Sequence, residues 1–416
     1  MFLTFALLLG LQLSHSQENF KLMFYNLLNF PSENAVPNRL QYLEVIMDDY
    51  RPDLFMVCEL NTEDGANTIL NSLQLINSNY ERAVFQTNSS DDAIGDYNDL
   101  QQLLYFDSSK FSLESQDIVS SIYRDFNHYQ LLLNSTTQNS NPVILDVIVC
   151  HLKASSGDTN EQYRLDMIED LETYLDTFPS DSNVVLSGDF NMYNGNEPSF
   201  QELISTSNNI TFVDPANSIG YWHNNTNYID VMTQSTRTQG NLGGSSGGFD
   251  DRFDFILTSQ NMLTNPQLSF VEDSYQVYGN NGNIQCYNSS INSSNCSGSD
   301  YSFDIRNALY NFSDHLPVTI ELHTNQSLST GSFTSTTSLA IKGSNVVDGQ
   351  LQFRNTNMEI VGQPTTVYNS LGQQVKTIMI NNTLYTNMDT SQLANGLYYC
   401  VLPYTNQQPL KFIVAH

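Results

Sequence analysis

Six short stretches of this 416-residue chain carry, beside an apolar run, a residue able to bind a hard cation or move a proton. In chain order they are Tyr25-Asn26, Cys58-Glu59-Leu60-Asn61, Cys150-His151-Leu152-Lys153, Gly188-Asp189-Phe190-Asn191, Arg252-Phe253-Asp254 and Ser313-Asp314-His315-Leu316-Pro317. A carboxylate in such a place is costly to bury unless it is paired or bound to a cation. One is commonplace; six form a pattern. The residue types suit hydrolysis of a phosphate ester, in which the phosphoryl oxygens gain charge in the transition state. Carboxylates hold a magnesium-like cation against phosphate, Asn or His donors bond the developing charge, and a further carboxylate orients or deprotonates water. An Asp beside a His fixes its tautomer and keeps it charged.

The elements that must position these residues follow from hydrophobic patterning. Strands are expected at Lys21–Tyr25, Leu54–Cys58, Leu103–Phe106, Val143–Cys150, Val184–Leu186, Phe253–Thr258 and Val318–Leu322, all rich in β-branched, aromatic and Leu residues. Leu40, Leu43, Ile46, Met47 and Tyr50 share one helical face, as do Met167, Ile168, Leu171, Tyr174, Leu175 and Phe178. Alternating helices and near-continuous apolar strands predict buried sheets covered by helices. Gly240–Gly248 reads as a flexible loop, and Tyr278–Tyr301 as an Asn/Ser/Gly-rich insertion.

Length and composition bound the rest. A chain this long exceeds one core, so a large domain and a smaller one are expected. Residues 1–16 read as a secretory signal, with the apolar run Phe2–Leu13 too short to span a bilayer. Residues 324–338 read as a polar linker, and 339–416 as a small all-β module with turns at Leu371-Gly372 and Asn395-Gly396. Cys286 and Cys296 are the one plausible disulfide; Cys58 and Cys150 read as buried hydrophobes, and the state of Cys400 is open. A formal net charge of −29, from 15 Lys+Arg against 44 Asp+Glu, argues against tight nonspecific grip on nucleic acid. It suits an exported protein. No later stretch is apolar enough for a membrane-spanning helix, and a monomer is expected.

Asn26, Glu59, His151, Gly188-Asp189-Phe190-Asn191, Asp254 and Ser313-Asp314-His315-Leu316-Pro317, in that order, resemble the endonuclease/exonuclease/phosphatase superfamily over about residues 20–323. The resemblance implies a four-layer α/β sandwich, two packed sheets flanked by helices. It also implies dependence on magnesium or manganese, with calcium a further option. By its pattern Asn26, Glu59 and Asp314 are metal-side residues. Asp189 activates water, Asn191 donates to the transition state, and Asp254 orients His315 on the scissile phosphate. His151 stands where the deoxyribonuclease I branch has a leaving-group histidine. That branch pairs it with a glutamate, whereas Asn98-Asp99-Leu100-Gln101-Gln102-Leu103 holds none. Asn98, Gln101 and Arg164 remain as contacts to substrate phosphate, although a helix-surface place is the commoner one for Arg164.

The C-terminal module, with Tyr368-Asn369-Ser370-Leu371-Gly372-Gln373-Gln374-Val375 and Leu393-Ala394-Asn395-Gly396-Leu397-Tyr398-Tyr399, resembles the sorting domain of type IX secretion substrates. That implies export to the medium or cell surface through secretion machinery, without stable membrane insertion. The leading expectation for activity is an extracellular nuclease acting on DNA. A sphingomyelinase-like or other small-molecule phosphodiesterase or phosphatase is the first alternative, and an inactive binding module the second.

Overall fold

The computed structural model describes residues 18–90, 100–329, 339–342, 345–355, 360–381, 385–402 and 409–416. The expected signal at 1–16 and most of the expected linker lie outside them. Two mixed sheets form the large domain. One runs Ser269–Phe270, Val318–Thr324, Glu18–Phe30, Leu54–Leu60, Gln101–Asp107 and Tyr80–Arg82, with Gln276–Val277 also on Val318–Thr324. The other runs Phe111–Val119, Phe126–Leu133, Ile144–His151, Val184–Asp189, Asp254–Ser259 and Phe212–Val213.

The strand period of two sorts side chains between layers. In the second sheet Val147, Val149, Val185 and Ile256 point toward the first sheet. Ile148, Cys150, Leu186, Phe255 and Leu257 point the other way, onto Met167, Ile168, Leu171 and Phe200 of the helices Asp158–Leu175 and Pro198–Leu203. Phe20 meets Phe111 edge to face across the sheet interface, with ring centroids 4.9 Å apart. The helices Leu40–Tyr50, Glu63–Ile76 and Phe303–Phe312 bury Leu43, Ile46, Ile69, Leu73 and Leu309 in the core of the first sheet. Each such side chain contributes roughly 1.5–3 kcal/mol of burial. The result is helix, sheet, sheet, helix: the expected four-layer sandwich.

Thr324, where the polar linker was expected to begin, still lies in a strand. The chain then stays bonded to the sandwich through Ser329, with Thr136 N–H donating to the Ser327 carbonyl at 2.9 Å and Ser329 N–H to Asn134 at 2.9 Å. The C-terminal module is a β-sandwich. Its three-stranded sheet holds Leu339–Lys342, Gln350–Asn355 and Tyr385–Asp389, and its five-stranded sheet includes Pro364–Asn369, Gly396–Val401 and Leu410–Val414. Leu351, Phe353, Val367, Met388, Cys400 and Phe412 close its core.

Candidate functional site

Strand register brings the polar strand ends together. In the second sheet Asp189 stands opposite Asp254 on one antiparallel neighbour and opposite His151 on the parallel neighbour, so the three lie in one row. In the first sheet Asn26 pairs with Cys58, which places Glu59 one residue beyond. The pairing is irregular between Asn26 and Phe30, and Leu28 (φ 49°), Asn29 (φ 48°) and Glu59 (φ 55°) are left-handed. For Leu and Glu that backbone is sparsely populated and costs of order 1–3 kcal/mol. The irregularity turns both strand ends toward the second sheet.

Asn26 is the hub between the sheets. Fully buried, it donates through Nδ2 to Glu59 Oε1 at 3.0 Å and to Asp189 Oδ2 at 3.0 Å, and lies 3.5 Å from His315 Nε2. Its Oδ1 accepts from Leu28 N–H at 2.9 Å, which fixes the direction of the amide. Asp189 Oδ1 accepts from the N–H of Asn191, itself left-handed at φ 52°. Asn191 Nδ2 reaches the Leu152 carbonyl at 3.3 Å. His315 Nδ1 bonds Asp254 Oδ2 at 2.7 Å, and its backbone N–H donates to Ser313 Oγ, which in turn donates to the Asn26 carbonyl. His315 Nε2 and His151 Nε2 each stand 3.7 Å from Asp189 Oδ2.

Burial sets the electrostatics. It raises the carboxyl of Asp189 to about 7, with Asp254 and Glu59 adding to the rise against His315 and Asn26. Glu59 is also raised, by burial and then by Asp314. Burial alone would lower His315, but Asp254, Asp314 and Asp189 outweigh it and hold the ring well above its usual value, as an imidazolium. His151 goes the other way: burial, then Arg124, His315 and Lys153, hold it well below the usual value and neutral. Its Nδ1 is buried without a hydrogen-bond partner.

The ligand atoms of Glu59, His151 and Asp189 lie within 4.8 Å of one another, and so do those of Asp189, Asp254 and His315. Asp254 Oδ1 and Asp314 Oδ1 are buried and unpartnered. Converging carboxylates, two of them raised by burial, with two orphaned oxygens beside them, fit a hard divalent cation. Glu59 is the member of the set that reaches the surface.

The structure therefore brings Asn26, Glu59, His151, Asp189, Asn191, Asp254 and His315 together. Asp314 adjoins them but stands outside both ligand groups. Its Oδ2 accepts from Ser245 N–H at 2.6 Å and from Gln234 Nε2 at 3.3 Å. Arg164 does not reach the site: it is buried, pairs with Glu197 at 2.8 Å, and braces the turn after His151 through the Lys153 and Ser155 carbonyls. Gln101 is buried and accepts from Asn88 N–H, so its amide serves the fold. Asn98 lies outside the described residues. Cys286 and Cys296 form the expected disulfide, and Cys58, Cys150 and Cys400 are buried free thiols.

Sequence reasoning missed a clamp on the site. The loop Gly240–Gly248, expected to be flexible, is tied down by Arg237, which donates to the Leu242 and Gly243 carbonyls at 2.9 Å each. Gly244 (φ 67°) passes so close to Asp314 that a Cβ there would lie 2.6 Å from the carboxylate. Gln234, also missed, sets its amide 2.6 Å from His315 Nε2. The glycine run was the available signal, read as freedom where close approach requires it.

The family model for the secretion system C-terminal sorting domain matches residues 345–415, as the resemblance of that module implied. No curated protein matches the sequence. Solved structures similar to this chain include the human nocturnin catalytic domain with bound sulfate anion, at 15% identity over 74% of this chain and 97% of that one, TM-score 0.45. Another is an endonuclease/exonuclease/phosphatase family protein from Bacteroides thetaiotaomicron, at 14% identity over 74% and 98%, TM-score 0.45. A mannosyl-6-phosphatase from the same organism is similar at 12% identity over 73% and 99%, TM-score 0.44.

Proposed function

We propose that this chain is an exported, divalent-metal-assisted phosphoesterase. The observation that carries the reading is the convergence of Glu59, Asp189, Asp254 and His315 at the paired strand ends, bridged by Asn26. Glu59 would hold the cation, with Asn26 and Asp314 beside it; the metal would supply positive charge against the phosphate. Magnesium or manganese suits these oxygen donors, with calcium a third option. Asp189, raised to about 7 by burial, is the group to take a proton from attacking water near neutral pH. His315, kept charged by Asp254, donates to the phosphoryl oxygens. Asn191 is the second donor, and Asn26 holds Glu59 and Asp189 in fixed relation. Neutral His151 is a weaker leaving-group acid than an imidazolium.

On substrate, the DNA reading requires cations that contact phosphates beyond the scissile one. Between residues 18 and 329 the chain has Lys21, Lys110, Lys153 and eight arginines. Arg82, Arg164 and Arg252 are paired with Glu63, Glu197 and Asp214. Arg39, Arg124, Arg237 and Arg306 donate to backbone carbonyls. Lys110 pairs with Asp53, and Lys21 and Lys153 reach the Tyr50 and Ala154 carbonyls. Arg51, paired with Asp48, precedes the strand whose far end carries Glu59. This supports a small phosphoester over a polynucleotide.

The test is hydrolysis by the purified protein of plasmid DNA, single-stranded DNA, RNA, sphingomyelin and bis(p-nitrophenyl) phosphate, with and without EDTA. EDTA-sensitive cleavage of at least the chromogenic ester is expected; inertness toward every substrate would return the chain to a binding role. Export rests on the sorting domain. A chain ending at Ser329 should keep its activity but remain in the periplasm of a type IX-competent host, and unchanged release would remove that part of the reading.

A further inference from the structure

Beside the proposed centre lies a second polar cluster to which the mechanism above assigns no role. His223 Nδ1 bonds Asp251 Oδ1 at 2.5 Å, with 42% of its side chain exposed and 13% of the aspartate's. Asn224 Nδ2 lies 2.6 Å from His223 Nε2, and Asn224 Oδ1 accepts from the Tyr287 hydroxyl at 3.2 Å. The edge of Tyr193 packs on His223, with centroids 5.1 Å apart. Histidine, amide, carboxylate and two phenols are thus linked at the surface, in part solvent-facing.

Two connections tie this cluster to the centre. Gln234 pairs its backbone with both Asp251 and His315, and its side-chain amide touches His315 Nε2. Tyr193 follows Asn191 by two residues, and its ring packs on Phe253, the neighbour of Asp254, at 5.1 Å. The cluster is also built rigidly. The insertion stapled by Cys286–Cys296 carries Tyr287, and Asn288 N–H donates to the Phe249 carbonyl at 3.1 Å, which holds the insertion against the segment that bears Asp251.

We propose that His223, Asn224 and Asp251, flanked by Tyr193 and Tyr287, form a specificity subsite for the hydroxyl groups of an uncharged substrate body, such as a monosaccharide or polyol, beside the scissile phosphate. His223, with both nitrogens taken, positions Asp251 and Asn224; the second Asp251 oxygen and the second Asn224 N–H accept from and donate to neighbouring hydroxyls, and phenol rings cover the C–H faces of such a body. Adjacent Asp250 and Asp251 repel a second phosphate. The inference rests on the phosphoesterase reading and narrows it.

The test compares wild type, His223→Ala and Asn224→Ala on two kinds of substrate. One is monosaccharide phosphates and their p-nitrophenyl diesters; the other is bis(p-nitrophenyl) phosphate, which has no hydroxyl. Wild type is expected to prefer the hydroxyl-bearing substrates. Each variant should raise KM for them about three- to tenfold, the effect of one lost hydrogen bond at a solvent-facing site, and leave the chromogenic ester within about twofold. Equal changes on both kinds would overturn the subsite. So would a wild-type preference for an oligonucleotide or for glycerophosphocholine, since the body recognised would then be anionic or cationic. Absent or EDTA-insensitive hydrolysis of the chromogenic ester would instead defeat the phosphoesterase reading, and the inference with it.

Discussion

Among the described residues, two buried histidines are hydrogen-bonded to an aspartate in pairs that look alike in isolation. His315–Asp254 spans 2.7 Å and His128–Asp146 spans 2.9 Å. Their surroundings separate them. The second nitrogen of His128 bonds the Tyr174 hydroxyl at 2.8 Å, Gln130 shares the Asp146 oxygen, and the ring packs against Tyr174 and Phe178. Both of its nitrogens are used within the fold. The second nitrogen of His315 instead faces Asp189, Asn26 and Gln234, where three carboxylates gather. A paired histidine becomes chemically useful when its other side meets groups that a substrate or cation can engage.

Substitution should split the two pairs. His315→Ala and Asp189→Asn are each expected to lower kcat by about 10²-fold or more with the fold retained, since each removes a charge donor or a base. His128→Ala should leave kcat within a few-fold but destabilise the protein by about 1–3 kcal/mol, because buried Asp146 then keeps only Gln130. Turnover and chemical denaturation of the three proteins read both axes. A large kcat loss in His128→Ala with little loss in His315→Ala would reverse the comparison.

His151 lies between these cases, close to the centre but neutral and half-partnered. His151→Ala is expected to cost kcat less than His315→Ala, on the order of tenfold. Equal losses would show that His151 carries a proton in turnover despite its surroundings.

A smaller effect concerns a carboxylate far from the chemistry. Burial, then Glu202 and Asp176, push Glu172 up from the usual 4.5 to about 8. The folded state therefore binds its proton more tightly than the unfolded chain. The stability this contributes is complete below about 4.5 and lost as pH rises through about 8. Glu172→Gln should match wild type in Tm at pH 4 and exceed it by a few degrees at pH 9. An equal difference at both pH values would mean that Glu172 is ionised throughout.

How much of this was legible in the sequence follows from what fixes each residue. Asn26, Glu59, His151, Asp189 and Asp254 end or flank apolar runs, and strands of definite register bring such ends together. Their assembly could therefore be expected from order and residue type. The strands Phe111–Val119 and Phe126–Leu133 escaped notice because polar residues such as Ser115, Gln116, Asn127 and His128 interrupt the apolar pattern; Gln116, Asn127 and His128 are buried with partners from remote segments, Val84, Gln102 and Asp146. Gln234, Ser245 and the His223–Asp251 pair sit on loops, where no periodicity announces a meeting. Arg164 looked available from its helical context and proved committed to Glu197, a pairing of residues 33 apart in sequence.

The central claim is that the strand-end cluster is a metal-assisted phosphoester centre, and a metal titration tests it most directly. Protein stripped with EDTA is assayed on bis(p-nitrophenyl) phosphate as magnesium or manganese is returned, for wild type and Glu59→Gln. No turnover without metal is expected, with full recovery on addition. The curve for Glu59→Gln should shift to at least about tenfold higher metal, because one negative ligand is lost while the shape is kept. Full activity of the stripped wild type, or superimposable curves for the two proteins, would contradict the account.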